Sequence, residues 1–297
     1  MPIFSIFNLN ELLLILFGAL ILDLLFAEPP EVAHPSVWFG RVVGFFDSKW
    51  EGKMNFVVGS VATLVTILFS FLLVWLVTLL DYPFNLLWAT YLLYSSVSIK
   101  SMVVHAKMTY KGGVVDAKEV QMIVSRNTAQ LNEHQLISAV IESIAENFVD
   151  GVLAPLFYFS LFGVSGAVVY RAINVCDAMI GYRDGKYEYF GKIAARLDDL
   201  ANFIPARLSV LLFSVFNIRA MKYALKYKIK LNGHPIAAMA GLLDVKIEKP
   251  GKYLIEGKEG KIEDIERCIK YYWMLCGLTI LLTLFLIAFS VSISVSG

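Results

Sequence analysis

The 297-residue chain is 58% hydrophobic and 17% charged, with a mean hydropathy of +0.65. That composition excludes an ordinary soluble domain, and the net charge of +1 implies no nucleic-acid partner. Cys176, Cys268 and Cys276 form an odd trio without metal-ligand spacing and read as small apolar fillers of helices.

In chain order, the first apolar run, 9–27, carries only Glu11 and Asp23. It lacks the basic start and small-residue cleavage site of a secretory signal. Runs at 56–80 and 271–295 carry no charge, and an uncharged stretch at 84–99 extends past Lys100 to 104. A bilayer-crossing helix needs about 20 residues. The expected fold is therefore an all-α integral membrane protein, one polytopic domain with four transmembrane helices at 9–27, 56–80, 84–104 and 271–295. All 26 Lys and Arg lie from Arg41 to Lys270, and loops retained in the cytoplasm carry the Lys/Arg excess. Both termini and the 81–83 turn are thus expected outside, with loops 28–55, 105–151, 171–202 and 221–270 cytoplasmic.

Two weaker apolar segments remain, 152–170 and 203–216. If both crossed the bilayer, Arg171, Arg183, Lys186, Lys192 and Arg196 would lie outside, against the charge rule. The first contains Pro155 and is interrupted by GVSG at 163–166, so a re-entrant helical hairpin is expected there, and a short buried helix at 203–216. Six spans is the alternative. The segment 244–256, centred on Pro250-Gly251, reads as a small exposed hairpin, and 262–273 as a helix entering the last span.

The densest chemistry begins at 137–151, ISAVIESIAENFVDG. Ile137, Val140, Ile141, Ile144 and Phe148 share one helix face, while Glu142, Glu146 and Asp150 fall at i, i+4 and i+8 on the other, with Asn147 alongside. No Lys or Arg occurs from Asn127 to Tyr170 to balance these acids locally. A divalent cation would, because Mg²⁺ is held by one or two carboxylates together with substrate phosphates; the competing reading is a solvated helix face. In 171–207, Arg171, Asn174 and Asp177 share a helix face, followed by Arg183, Arg196, Asp198, Asp199, Asn202 and Arg207. Ionisable groups beside membrane segments are costly unless paired or in a wet cavity, and the Arg fork suits phosphate and carboxylate. Mutual salt bridging, Arg196 with Asp199 for instance, is the competing reading. Lys222, Lys226, Lys228 and Lys230 form a basic run read as attraction to anionic lipid. No G-x-x-x-x-G-K-[ST] is present, so a P-loop is not available for nucleotide phosphates. The GVSG motif matches an intramembrane serine protease pattern, but the His it would need is not on a span; His234 lies in a polar loop.

The order of these segments resembles the adenosylcobinamide-phosphate synthase family of cobalamin biosynthesis (CobD/CbiB type). The resemblance rests on D-x4-EPP-x3-HP at 23–35, ESIAENFVDGVLAPLFY at 142–158, YRAINVCDAMIGYRDGKYEYFG at 170–191, ARLDDLANFIPAR at 195–207 and NGHPIAAMAGLLDV at 232–245. Two positions depart from the usual pattern, Glu28 and Asn127, where the family has Asp. The resemblance implies a bacterial or archaeal inner-membrane ligase. It would join the carboxylate of adenosylcobyric acid to the amine of (R)-1-aminopropan-2-yl phosphate or a close relative, with ATP and Mg²⁺. On that basis Glu142, Glu146 and Asp150 are metal ligands, and Glu146, Asp177, Asp198 and Asp199 are catalytic candidates. Asn147, Arg171, Asn174, Arg183, Arg196, Asn202, Arg207, His34 and His234 are candidates for binding substrate and phosphate. Corrinoid, aminoalcohol phosphate, membrane lipid and soluble enzymes of the same pathway are the implied partners, and oligomeric state is left open. A transporter with discontinuous helices and a non-catalytic scaffold for corrinoid enzymes are the alternatives. Halves of matching hydropathy, as in one common carrier class, are absent from this chain.

Overall fold

The computed structural model describes residues 6–49, 55–182 and 185–296. Its elements are α1 (Leu9–Phe26), α2 (Pro35–Lys49), α3 (Asn55–Leu79), α4 (Phe84–Tyr94), α5 (Lys100–Met108), strands β1 (Tyr110–Lys111) and β2 (Val114–Val115), α6 (Ala117–Gln121) and α7 (Glu133–Phe148). A π-helical turn, Val149–Leu153, leads to α8 (Ala154–Phe162), α9 (Val164–Ile180), α10 (Tyr187–Phe190), α11 (Lys192–Ala201), α12 (Phe203–Ser214), α13 (Arg219–Lys226) and α14 (His234–Leu243). Strands β3 (Ile247–Lys249) and β4 (Tyr253–Ile255) precede the long α15 (Ile262–Ser296).

Helix α3 shows why this is a membrane protein. Its buried stripe is Gly59, Ala62, Thr63, Thr66, Ser70, Leu73 and Val77, small or hydroxylated at its first five positions, whereas Leu64, Leu68, Phe71 and Trp75 are exposed. In water that arrangement is inverted. In lipid it is the favoured one, because small and hydroxylated residues let helices approach while bulky aliphatic residues meet the acyl chains. The Thr63 and Thr66 hydroxyls donate to the carbonyls of Gly59 and Ala62, at 2.9 and 2.8 Å, so neither is left unsatisfied. Gly59 itself is required by close approach: a Cβ there would stand 1.8 Å from the Phe190 carbonyl oxygen of α10.

Three helices, Leu9–Phe26, Asn55–Leu79 and Ile262–Ser290, are long and apolar enough to cross a membrane. The fourth expected span, 84–104, is not one helix, since α4 ends at Tyr94 and α5 begins at Lys100. The serines between them explain the break. Ser95 and Ser96 turn their hydroxyls back onto the Leu92 carbonyl at 2.9 and 2.8 Å, the local competition through which Ser weakens helices.

The chain forms two compact units, one of Met1–Ser98, Ala154–Ala201 and Leu281–Gly297, the other of Ile99–Leu153 and Asn202–Ile280. In the first, α1 packs on α4, and α2, α3, α9 and α11 surround a core of Val43, Cys176, Ile180, Phe190 and Ala194. The expected 152–170 hairpin takes the form of α8 and α9 packed together and joined at Gly163, whose φ of 66° suits glycine.

In the second unit, α7 lies at the centre, contacted by α5, α6, α14 and β3. Its start is set by a capping box, Asn132 and Gln135 each bonding the other's backbone N–H. The 244–256 hairpin is present, with Ile247 opposite Ile255 and Lys249 opposite Tyr253. It is not simply exposed: Ile247 and Ile255 are buried and β3 rests on α7. Helix α12 is buried on one face only, through Pro205, Ala206, Ser209, Val210 and Phe213; Phe203, Ile204 and Leu211 are exposed. The short helix expected at 203–216 is thus present as Phe203–Ser214, with its burial confined to one face.

Candidate functional site

Each unit carries a polar cluster. In the first, the break after α4 is the anchor. Unwinding frees the Ser96 carbonyl, which accepts from Arg171 Nε at 3.0 Å and Nη2 at 2.6 Å. Arg171 Nη1 donates to Asn174 Oδ1 at 3.2 Å, and Asn174 Nδ2 reaches Asp198 Oδ1 at 3.4 Å. The i, i+3 spacing on α9 therefore builds a relay from the unwound backbone to a carboxylate on α11. Ser98 Oγ donates to Glu28 Oε1 at 3.4 Å. His34 Nδ1 accepts the Ser36 N–H at 3.2 Å, which leaves the neutral ring's proton on Nε2. Burial lowers the His34 pKa below its ordinary value; Glu28 opposes that shift and Arg171 adds to it. His34, Glu28, Ser96, Arg171, Asn174 and Asp198 are thus brought into one neighbourhood from four separate segments.

The remaining candidates of this unit are placed around it. Asp177 lies one turn beyond Asn174, and any side chain at Gly181 would stand 1.9 Å from its Oδ1, so glycine there makes room for the carboxylate. Asp199 is half-buried on α11. Arg196 forms no ion pair with Asp199. It lines a separate 250 Å³ pocket with Tyr182, Glu188, Tyr189 and Lys192. Arg183 lies outside the described residues.

The second cluster is the acid ladder of α7. It has cationic partners after all, delivered from distant segments. Glu142 is 3% exposed and held by Arg126 Nη2 and Lys249 Nζ, both at 2.7 Å. Glu146 pairs with Lys230 at 2.6 Å. The Lys230 pKa is raised, chiefly by Glu146 against its own desolvation, with smaller contributions from Asp150 and Glu142, so one ammonium feels the whole ladder. Asp150 sits in the π-helical turn, a departure from α-helix that occurs often at functional sites. Tyr253, opposite Lys249 in the hairpin, has its pKa raised by burial and by Glu142, which keeps the phenol protonated. Its hydroxyl faces Glu142, and the Nε and Nη1 of Arg126 are buried without hydrogen-bond partners among the described residues.

Asn147 turns its amide onto the Ser143 carbonyl at 2.9 Å. The Arg207 guanidinium lies 3.5 Å from the centre of the Phe203 ring and donates to the Phe203 carbonyl. Burial, and then Arg207, lower the pKa of His234, which opens α14. Asn202 is 3% exposed. Sequence reading missed Arg126, Lys249, Tyr253 and Ser96. Lys230, read as part of a lipid-facing basic run, is a partner of Glu146, and Lys226 pairs with Glu256 at 3.0 Å.

Fitness for Mg²⁺ divides the ladder. Both Glu142 oxygens are engaged by protein cations, whereas half-buried Glu146 and Asp150 lie one turn apart beside the Lys230 ammonium. Among the described residues no three His, Cys, Asp or Glu side chains are grouped to hold a metal ion. A pair of carboxylates suffices when phosphate oxygens and waters complete an octahedron. Glu146 and Asp150 fit that requirement; Glu142 is committed elsewhere.

No solved structure is similar to this chain. Curated relatives are. A protein of Archaeoglobus fulgidus named probable cobalamin biosynthesis protein CobD is 54% identical over 271 residues, covering 91% of this chain and 92% of that protein. One of Pyrococcus furiosus with the same name is 49% identical over 263 residues, 86% and 92% of the two chains. A cobalamin biosynthesis protein CobD of Dehalococcoides mccartyi is 36% identical over 268 residues, 82% and 86%. The profile of the CobD/Cbib protein family matches residues 16–272, and with the cluster-forming segments all inside that range, this chain belongs to the CobD/Cbib family.

Proposed function

We propose that the chain is a membrane-bound ligase of cobalamin biosynthesis. It joins the carboxylate of adenosylcobyric acid to the amine of (R)-1-aminopropan-2-yl phosphate, or a related aminoalcohol phosphate, with ATP hydrolysis, giving adenosylcobinamide phosphate. The observation that carries this reading is the Arg171–Asn174–Asp198 relay beside His34 and Glu28, built from segments within the family match.

The chemistry asks for three things. A carboxylate is a poor electrophile, so it is activated, as an acyl phosphate, before the amine attacks. Transfer of the phosphoryl group is chiefly a matter of positioning and charge neutralisation. The attacking ammonium must give up a proton. Asp198, oriented by Asn174 and through it by Arg171, is the base proposed for that proton. Arg207 and Lys230 neutralise phosphate, and His34, protonated on Nε2, donates to a substrate oxygen. Glu146 and Asp150 would hold Mg²⁺, which supplies charge neutralisation to the ATP phosphates when bound. Glu142 positions Arg126 and Lys249.

Purified protein in detergent, given ATP, Mg²⁺, adenosylcobyric acid and aminopropanol phosphate, tests the reading. Amide product and ATP consumption in equal amounts are expected. A carrier or a scaffold gives neither, and absence of amide from a folded preparation overturns the proposal.

A further inference from the structure

Besides the α7 ladder, the second unit has a cavity of about 510 Å³ lined by Lys107, Tyr110, Glu266, Ile269, Lys270, Trp273 and Met274. It lies where α15 changes character. Up to Lys270 the helix carries Glu263, Asp264, Glu266 and Arg267, and beyond Lys270 it has no charge to its end. Trp273, one turn past the last charge, and Met274 are 38% and 41% exposed. A Trp at such a transition marks the level of the lipid headgroups. Lys107, from the end of α5, and Lys270 are exposed and ion-paired with none of the described residues, so two ammoniums face one carboxylate, Glu266. Burial and the Glu266 charge raise the Tyr110 pKa, which keeps its hydroxyl a donor.

We propose that this cavity binds one anionic phospholipid with a hydroxylated headgroup, its phosphate between Lys107 and Lys270 and its acyl chain along Trp273 and Met274. Basic pockets beside transmembrane helices are built this way for lipid phosphate. The net charge of +1 favours an anion. Glu266 accepts from a headgroup hydroxyl such as glycerol offers, so a phosphoglycerol lipid binds better than a phosphomethanol lipid, which has equal charge and no headgroup hydroxyl. The size suits a headgroup and the first part of a chain. The proposal is independent of the ligase reading.

The test uses the full chain in nanodiscs of phosphatidylcholine doped with phosphatidylglycerol or phosphatidylmethanol, with bound lipid counted by native mass spectrometry. Retained phosphatidylglycerol in excess of phosphatidylmethanol is expected. Each Lys near a lipid surface contributes roughly a factor of five, so Lys107→Ala with Lys270→Ala weakens retention about 30-fold. Lys107→Arg with Lys270→Arg retains the lipid, and Glu266→Ala abolishes the preference between the two headgroups. All variants are compared at matched thermal midpoints, which guards against misfolding. Retention unchanged in the double alanine variant overturns the proposal. So does displacement of the lipid by soluble glycerol phosphate at millimolar concentration, which would make the occupant a free phosphate.

Discussion

Glu142→Gln is the sharpest probe of the α7 ladder. The carboxylate is 4% exposed and compensates two cations, Arg126 at 15% and Lys249 at 24% side-chain exposure. Neutralising it leaves those charges in a water-poor site, and Arg126 is already short of partners at Nε and Nη1. Breaking one side of a buried pair costs about 3–5 kcal/mol, and here both cations lose the same anion, so the upper part of that range applies. Glu146→Gln is the internal control. Its partner Lys230 is 59% exposed and Glu146 itself 30%, so solvent screens the pair and its loss costs no more than about 1 kcal/mol. The assay is thermal unfolding in detergent, read by a thiol-reactive dye: Cys176, Cys268 and Cys276 are free and buried, and report only when the fold opens. A large drop for Glu142→Gln against a small one for Glu146→Gln is expected. Equal drops, or a Glu142→Gln midpoint indistinguishable from the parent, would refute the view that Glu142 is a structural counter-ion.

Glu146→Gln should abolish amide formation while leaving that midpoint nearly in place; turnover at the parent rate would remove Glu146 from the proposed Mg²⁺ pair. Arg171→Lys loses the paired donation to the Ser96 carbonyl, costing about 1.5–3 kcal/mol in stability and most of the activity, measured by unfolding and by the ligase assay. Gly59→Ala forces α10 away from α3 and should cost about 3 kcal/mol or more, seen as a lowered midpoint with no change in secondary structure by circular dichroism. His34 and His234 both have lowered pKa values, so the unfolded chain binds protons more readily than the folded one. The stability they contribute is complete above the ordinary His value of 6.5 and drains away as pH falls from 6.5 through the lowered values. A midpoint-against-pH curve that flattens below 6.5 in His34→Gln with His234→Gln, but slopes in the parent, is the expected result.

What could be read in the sequence was what depends on local period and on hydropathy. The spans at 9–27, 56–80 and 271–295, the hairpin at 244–256 and the one-sided acids of 142–150 all follow from spacing within a segment. The counter-ions do not: Arg126, Lys230 and Lys249 meet their carboxylates across 16, 84 and 107 residues. Nothing local marks Lys230 as different from Lys228. Hydropathy also cannot tell lipid from protein, so the reading of α12 as a short buried helix did not say which face is covered, with Leu211 outward and Phe213 inward. The interruption at 95–99 escaped because serines lower a hydropathy average only slightly, while their hydroxyls are well suited to ending a helix.

That interruption bears on how the protein is made. The Ser96 carbonyl, released by unwinding, finds its donor in a residue 75 positions later. At 5–20 residues per second, roughly 4 to 15 s of synthesis separate the two. During that interval a bare peptide group cannot rest in hydrocarbon, where each unsatisfied one costs several kcal/mol. Residues 95–98 therefore wait in water or against the insertion machinery until α9 emerges, and a chain truncated before Arg171 should leave this segment open to protease.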